Sequence, residues 1–205
     1  MILDLKGIVK KYNLNINGAI HCGGHYGEEY NTYLELGINN QVWFEPQPEV
    51  FQIMESKLPN NENIKLINKA LGNDTKKVTM YVDNYNQGSS SILKPKLHLD
   101  QYRHIRFENE VEVDLVRLDD VIIEKDKYNF LYMDCQGYEY EVLKGASNLL
   151  NNIDVIMTEV NRAEVYENCG MINELDDYLN QYQFNRVETS WAGGTWGDAF
   201  YIKNK

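Results

Sequence analysis

A mostly parallel α/β sheet with helices on both faces and an antiparallel closing pair is the fold class this sequence predicts. Two observations predict it. Short apolar runs that read as strands alternate along the chain with segments of helical spacing, and parallel strands need such an intervening segment to bring the chain back. Near the end, the strand-like runs 184–189 and 199–202 pair with each other to close the sheet. With 43% apolar and 12% aromatic residues, a chain of 205 residues fills one core, so a single domain over 1–205 is expected. No linker, internal repeat or low-complexity block divides it.

Residues 1–13 begin as a lead-in helix, with Leu3, Leu5, Ile8 and Val9 at roughly helical spacing. A short buried strand over 19–22 ends at Gly23-Gly24, and 28–36 follow with Tyr30, Tyr33, Leu34 and Leu36 in helical register. The rhythm then repeats: 41–44 is strand-like, Glu45-Pro46 stops it, and 49–58 carries Val50, Phe51, Ile53, Met54 and Leu58 on a helix. Residues 64–71 read as a third strand and 78–82 as another. The stretch 84–108 has turn formers, Ser89-Ser90-Ser91 and scattered charges but no clean period; it reads as an insertion or lid that carries function. A strand at 111–116, a short helix at 118–123, an apolar strand at 130–133, a helix at 139–150, a strand at 153–157 and a helix at 173–182 lead to the closing pair.

Twenty Lys+Arg against 31 Asp+Glu leave a net charge of −11, with no dense basic run. A nucleic-acid backbone or an anionic membrane is repelled on average, so a small neutral or weakly basic partner is expected, with no nucleic acid and no membrane. Cys22, Cys135 and Cys169 are widely spaced and form no C-x-x-C, which signals neither a disulfide framework nor a zinc site and fits a reducing cytosol. His21 and His25 flank a glycine turn instead of lying along a helix, and no metal is expected. The N-terminal stretch lacks the continuous apolar run of a signal peptide or a membrane span.

In such a sheet ligands bind at the carboxyl ends of the strands. After the first strand come Gly23, Gly24 and Gly27, which allow a tight turn, close approach of backbone to a ligand, and close helix packing. The second strand ends in Glu45, 22 residues after Gly23, where an acid accepts hydrogen bonds from the two hydroxyls of a ribose. The 130–133 strand ends in Asp134 at the mouth of the cleft. Glu139 opens the next helix, where a carboxylate also complements the helix dipole.

These residues resemble the FkbM-type methyltransferase family, a branch of the Rossmann-like S-adenosylmethionine-dependent enzymes. Ile20-His21-Cys22-Gly23-Gly24-His25-Tyr26-Gly27 is similar to its first motif, and Phe44-Glu45-Pro46-Gln47-Pro48 to its second. The run from Asp134 through Gly137, Glu139, Val142, Leu143 and Gly145 to Ala146 follows its D-x-x-G-x-E-x-x-V-L-x-G-A signature throughout. Gly88–Leu93, Thr158–Asn161 and Trp196–Tyr201 extend the similarity over about residues 17–203. The resemblance implies a Rossmann-like methyltransferase fold, S-adenosylmethionine as cofactor, and methyl transfer to a hydroxyl of a small molecule, a sugar or glycan above others. It further implies cofactor contacts at His21, Gly23, Gly24, Gly27, Glu45, Pro46, Ala70 and Asp134, and acceptor contacts at Ser90, Asn161, Trp196 and Asp198. Many members carry an acid where His21 stands, which leaves imidazole or water in place of the usual carboxylate toward the cofactor's amino end.

An alcohol is a poor nucleophile near neutral pH, so a base within hydrogen-bond reach is expected. Glu159 and Asp134 lead the candidates, followed by Asp198 and by His98 in the insertion, where the imidazole folds over the substrate as part of a lid or sits as a surface histidine. Trp196 offers an aromatic face to a sugar or closes the core. Two other classes compete: a nicotinamide-dependent oxidoreductase, which also uses a glycine turn and a ribose acid, and a non-catalytic binding module. The turn spacing G-G-x-x-G lacks the G-x-G start that the oxidoreductase needs.

Overall fold

The computed structural model describes residues 2–204. Met1 and Lys205, the outermost residues of the expected domain and of its lead-in helix, lie outside them. In chain order, α1 (Leu5–Lys11) precedes β1 (Gly18–Cys22), α2 (Tyr30–Glu35), β2 (Asn40–Phe44), α3 (Pro48–Lys57) and β3 (Ile64–Ile67). The middle of the chain forms β4 (Ala70–Leu71), β5 (Lys76–Val82), α4 (Leu97–Gln101), β6 (Asn109–Val116) and α5 (Leu118–Val121). Then come β7 (Phe130–Met133), α6 (Glu139–Lys144), β8 (Val155–Asn161), α7 (Ile172–Asn180), β9 (Phe184–Ala192) and β10 (Trp196–Lys203).

The main sheet runs in the order β3-β2-β1-β7-β8-β10-β9. Neighbours from β3 to β8 are parallel, and β10 is antiparallel to both β8 and β9. This is the predicted class. Side chains on a strand alternate between faces, and the alternation sorts the core into two halves. Ile20, Cys22, Val42, Phe44, Leu131 and Met133 pack under α5, α6 and α7 through Leu118, Val142, Leu143, Leu175 and Leu179. Ala19, Trp43, Phe130 and Tyr132 face the other way, against Leu5 and Ile8 of α1, Tyr33 of α2 and Met54 of α3. Each Val, Leu, Ile, Phe or Met side chain among them contributes roughly 1.5–3 kcal/mol by leaving water. The sheet therefore has helices on both faces, and its strand order reverses at β1, between β2 and β7. That reversal is the topological switch point, where a crevice opens beyond the carboxyl ends.

Three expectations change. The third strand, 64–71, breaks at Asn68: β3 stays in the main sheet, while β4 joins a separate sheet of order β4-β6-β5. Asn68 Nδ2 donates to the carbonyls of Glu45 (2.8 Å) and Pro46 (3.0 Å), which ties the break to the tip of β2. The helix over 139–150 stops at Lys144, because the Gly145 carbonyl accepts the Asp119 N–H (3.0 Å) instead of a helical donor; a 3₁₀ turn over Leu149–Asn151 follows. The stretch 84–108 is more ordered than its sequence suggests. It holds α4, bridges from Ser91 to Tyr81 and from Pro95 to Tyr166, and lies over the crevice.

Candidate active site

The crevice at the switch point is a cavity of about 540 Å³, large enough for a nucleoside-sized ligand together with part of an acceptor. Its floor is the tip of β1. Gly23 has φ +83°, and a Cβ there would lie 2.0 Å from the Asp134 carbonyl oxygen, so only glycine lets β1 and β7 end side by side. Glu45, at the tip of β2, is 3% exposed and lines the cavity. Its Oε2 accepts the His25 N–H (2.9 Å) and its Oε1 the Gln47 N–H (2.8 Å). Burial pushes its carboxyl up to about 7, against those backbone donors. A smaller apolar recess of about 50 Å³ adjoins the cavity, with Pro46, Ala70, Leu71, Ile92 and Tyr138 among its walls. A deep acid held by backbone amides beside an apolar slot fits a nucleoside, with ribose at Glu45 and the base toward Ala70.

Across β1, the tips of β7 and β8 bring two carboxylates together. Asp134 and the buried Glu159 both line the cavity, and Gln136 Nε2 donates to Asp134 Oδ1 (2.6 Å) and to Glu159 Oε2 (3.1 Å). Gln136 sits at φ 51°, a left-handed conformation, and its Oε1 accepts the Tyr166 hydroxyl (2.8 Å), which fixes the amide so that its N–H groups face the acids. Burial raises Asp134 above the usual aspartate range. Burial, reinforced by the Asp134 and Glu139 charges, raises Glu159 well above the glutamate range. Two such groups bridged by one amide titrate as a pair, and the raised proton affinity makes the ionised pair a better proton acceptor than an ordinary carboxylate. Glu139 lies behind them, accepting the Cys135 N–H (2.7 Å) and Gly137 N–H (3.3 Å), with burial pushing it up to about 8; it braces the turn more than it complements the α6 dipole.

The cover is organised by Asp83. Its Oδ1 accepts the N–H groups of Tyr85 (2.8 Å), Asn86 (3.2 Å) and Gln87 (3.0 Å), and its Oδ2 that of Ser89 (2.7 Å). The loop 86–90 is held over the cavity, tied to His25 through the Asn86 carbonyl (2.9 Å) and to Tyr166 through the Ser89 carbonyl (2.8 Å). His98 of α4 is 3% exposed and lines the cavity among Tyr102, Phe107 and Tyr166. Burial lowers its imidazole below the usual range, so it is neutral near pH 7. Trp196 lines the same wall, its Nε1 donating to the Tyr102 hydroxyl (2.9 Å).

Of the residues expected from sequence, Gly23, Glu45, Asp134, Glu159, His98, Ser90 and Trp196 line the cavity, while Pro46 and Ala70 line the recess. Five others do not. His21 is 1% exposed and stacks between Trp43 and Tyr132, each 4.0 Å away ring to ring; strand alternation turns it off the tip and into the sheet face. Gly24 and Gly27 are packing positions, where a Cβ would meet Met54 Sδ at 2.7 Å and Leu58 Cδ1 at 2.3 Å. Asn161 is fully buried beyond the last cavity residue of β8. Asp198 is also fully buried, its Oδ2 accepting the Ile2 and Leu3 N–H groups, the latter at 2.9 Å, so it ties the N-terminal segment to β10. Gln136, Tyr166 and Asp83 were missed because an amide, a phenol and a loop carboxylate carry no motif of their own: Gln136 and Tyr166 act through the distant Glu159 and Ser89, and Asp83 by gathering the amides of Tyr85, Asn86, Gln87 and Ser89. Nor is the glycine turn a phosphate cradle: the Gly23 and Gly24 amides both donate to the Phe44 carbonyl, at 3.0 and 2.8 Å. That removes the feature a nicotinamide dinucleotide needs. Among the described residues no group of three or more His, Cys, Asp or Glu is placed to hold a metal ion.

Solved structures show that the fold is that of Rossmann-like methyltransferases. Magnesium protoporphyrin IX methyltransferase (ChlM) of Synechocystis PCC 6803, solved with S-adenosylmethionine, superposes with TM-score 0.53 at 10% identity, over 97% of this chain and 76% of that one. Streptococcus pneumoniae Sp1610, designated a tRNA (m1A22) methyltransferase and solved with S-adenosylmethionine, superposes with TM-score 0.56 at 13% identity, over 100% of this chain and 74% of that one. In sequence, the chain is 26% identical over 195 residues to the 2-O-methyltransferase NoeI of Sinorhizobium fredii, covering 91% of this chain and 79% of that protein. Residues 21–186 match the Methyltransferase FkbM domain, and the chain belongs to that family of S-adenosylmethionine-dependent methyltransferases.

Proposed function

We propose that this enzyme methylates a hydroxyl oxygen of a small neutral acceptor, a sugar or glycan, within the Asp83–Ser90 cover. The observation that carries the reading is the Asp134–Gln136–Glu159 cluster, a proton-accepting pair in the same cavity as the nucleoside acid Glu45. S-Adenosylmethionine, when bound, supplies an electrophilic methyl carbon on a sulfonium. The protein's own residues do the rest. Glu45 and the recess around Ala70 hold the nucleoside, and the cover loop and Trp196 hold the acceptor and limit water. The Asp134/Glu159 pair takes the hydroxyl proton as the oxygen attacks, and His98, in the same cavity, helps orient that hydroxyl.

Acceptor chemistry is supported by charge. Among the described residues lining the cavity are Glu28, Glu29, Glu45, Asp134 and Glu159, with no lysine or arginine. Phosphorylated and nucleic-acid acceptors are disfavoured by that field, and the name of the Sinorhizobium relative supports an oxygen acceptor. The three free cysteines support a reducing, cytoplasmic setting; among the described residues no helix is long and apolar enough to cross a membrane. The test is transfer from methyl-labelled S-adenosylmethionine to a panel of neutral sugars, amino sugars, sugar phosphates and RNA. Label in an alkali-stable ether on a neutral or amino sugar is expected; label in RNA or in sugar phosphates alone overturns the reading.

A further inference from the structure

Position 21 holds an imidazole that never reaches the cavity. What it does reach is Glu29. His21 Nε2 is buried without a hydrogen-bond partner, and its nearest acid is Glu29 Oε2 at 3.8 Å; Tyr33 OH at 2.9 Å occupies the other ring nitrogen. Glu29 lies in the turn before α2 and lines the cavity, and its side chain is 29% exposed. Tyr132, the β7 partner of His21 in register, donates its hydroxyl to Glu29 Oε1 at 3.1 Å. The row Trp43, His21 and Tyr132 across β2, β1 and β7 thus ends in a carboxylate at the cavity wall.

Of the other acids of the cavity, Glu45 and Glu28 are hydrogen-bonded through both oxygens, and Asp134 and Glu159 each give one oxygen to the cluster proposed for proton transfer. Among the described residues, no hydrogen bond reaches Glu29 Oε2. Glu45 stands at the tip of β2 and Tyr132 near the tip of β7, on opposite sides of β1. Glu45, Gly23 and Glu29 line one cavity, so a ligand with its ribose on Glu45 that extends past the Gly23 turn toward β7 approaches Glu29.

We propose that Glu29 is the carboxylate that receives the α-ammonium of S-adenosylmethionine, held by Tyr132 and taking over from position 21 an acid's role in the amino-acid half of the cofactor site. The proposal rests on the cavity being the cofactor site. A charge-assisted contact half shielded from water is lost when Glu29 becomes glutamine, at a cost of roughly 10- to 100-fold in affinity.

The test is calorimetric titration of the native protein and Glu29→Gln with S-adenosylhomocysteine and with 5′-methylthioadenosine, which keeps the nucleoside and lacks the amino acid. The expected result is weaker S-adenosylhomocysteine binding to the variant and unchanged 5′-methylthioadenosine binding, which also shows that the variant is folded. Equal S-adenosylhomocysteine binding to both proteins, or parallel loss of both ligands, overturns the role of Glu29 while leaving the cofactor site in place. Failure of the native protein to bind either ligand overturns both.

Discussion

The two sides of β1 are built by different means. On the β2 side, the half proposed for the nucleoside comes from consecutive pieces of chain: a strand tip, a glycine turn, and an acid at the next strand tip, with His25 and Gln47 amides locking Glu45. On the β7 side, the half proposed for the acceptor joins fragments far apart in sequence. Asp83 shapes the cover, Gln136 bridges Asp134 to Glu159, and Tyr166 joins the Gln136 side chain to the Ser89 carbonyl. The first half is set by strand register and one backbone conformation. The second exists only once long-range hydrogen bonds are made, so it is the half in which chemistry and specificity can vary while the fold stays fixed.

Breaking each half should therefore break a different quantity. The largest effect is expected from Asp134→Asn or Glu159→Gln, which should lower kcat by roughly 10²–10⁴-fold and leave S-adenosylhomocysteine affinity within a few fold; loss of binding instead of turnover would assign these acids to the cofactor. Asp83→Ala should release the cover loop, raising the acceptor KM by roughly tenfold as several charge-assisted bonds are lost, with cofactor affinity little changed. His98→Gln should lower kcat less than the acid variants and leave the acid limb of the pH–rate profile where it is. That limb belongs to the raised carboxylate pair, and activity is lost as pH falls through it.

On the nucleoside side the sign is set by Glu45. A ribose donates to the ionised carboxylate, and burial places that group at about 7. Affinity should rise roughly tenfold from pH 6 to pH 8, with proton release on binding, measurable by calorimetry in buffers of different ionisation enthalpy. Stability runs the other way. A buried carboxyl raised from 4.5 to about 8, as Glu139 is, contributes stability below pH 4.5 that is lost as pH rises through its folded value. Glu139→Gln, which keeps an acceptor for the Cys135 and Gly137 amides, should stabilise the protein at pH 8 relative to pH 5 by on the order of 1–3 kcal/mol, read as a shift in melting temperature.

The same division explains what could be read from the sequence. Alternation and glycine turns gave the parallel core because those signals are local, and Glu45, Asp134 and Glu159 were found because strand ends point to the crevice. Position 21 misled because alternation is exact: one residue before the tip, a side chain turns into the sheet, and His21 lies between Trp43 and Tyr132. Asp198 misled for a related reason, since a conspicuous acid beside a strand tip was satisfied by the backbone of residues 2 and 3. The break at Asn68 and the order within 84–108 carry no period of their own; side-chain contacts to Glu45, Pro46 and Asp83 create them.

The central claim is that the switch-point crevice is a nucleoside-cofactor site anchored on Glu45. Calorimetric titration of the native protein and Glu45→Ala with S-adenosylhomocysteine tests it most directly. The account predicts micromolar-range binding to the native protein, weakened roughly 100-fold in the variant; no binding by the native protein, or equal binding by both, would contradict it.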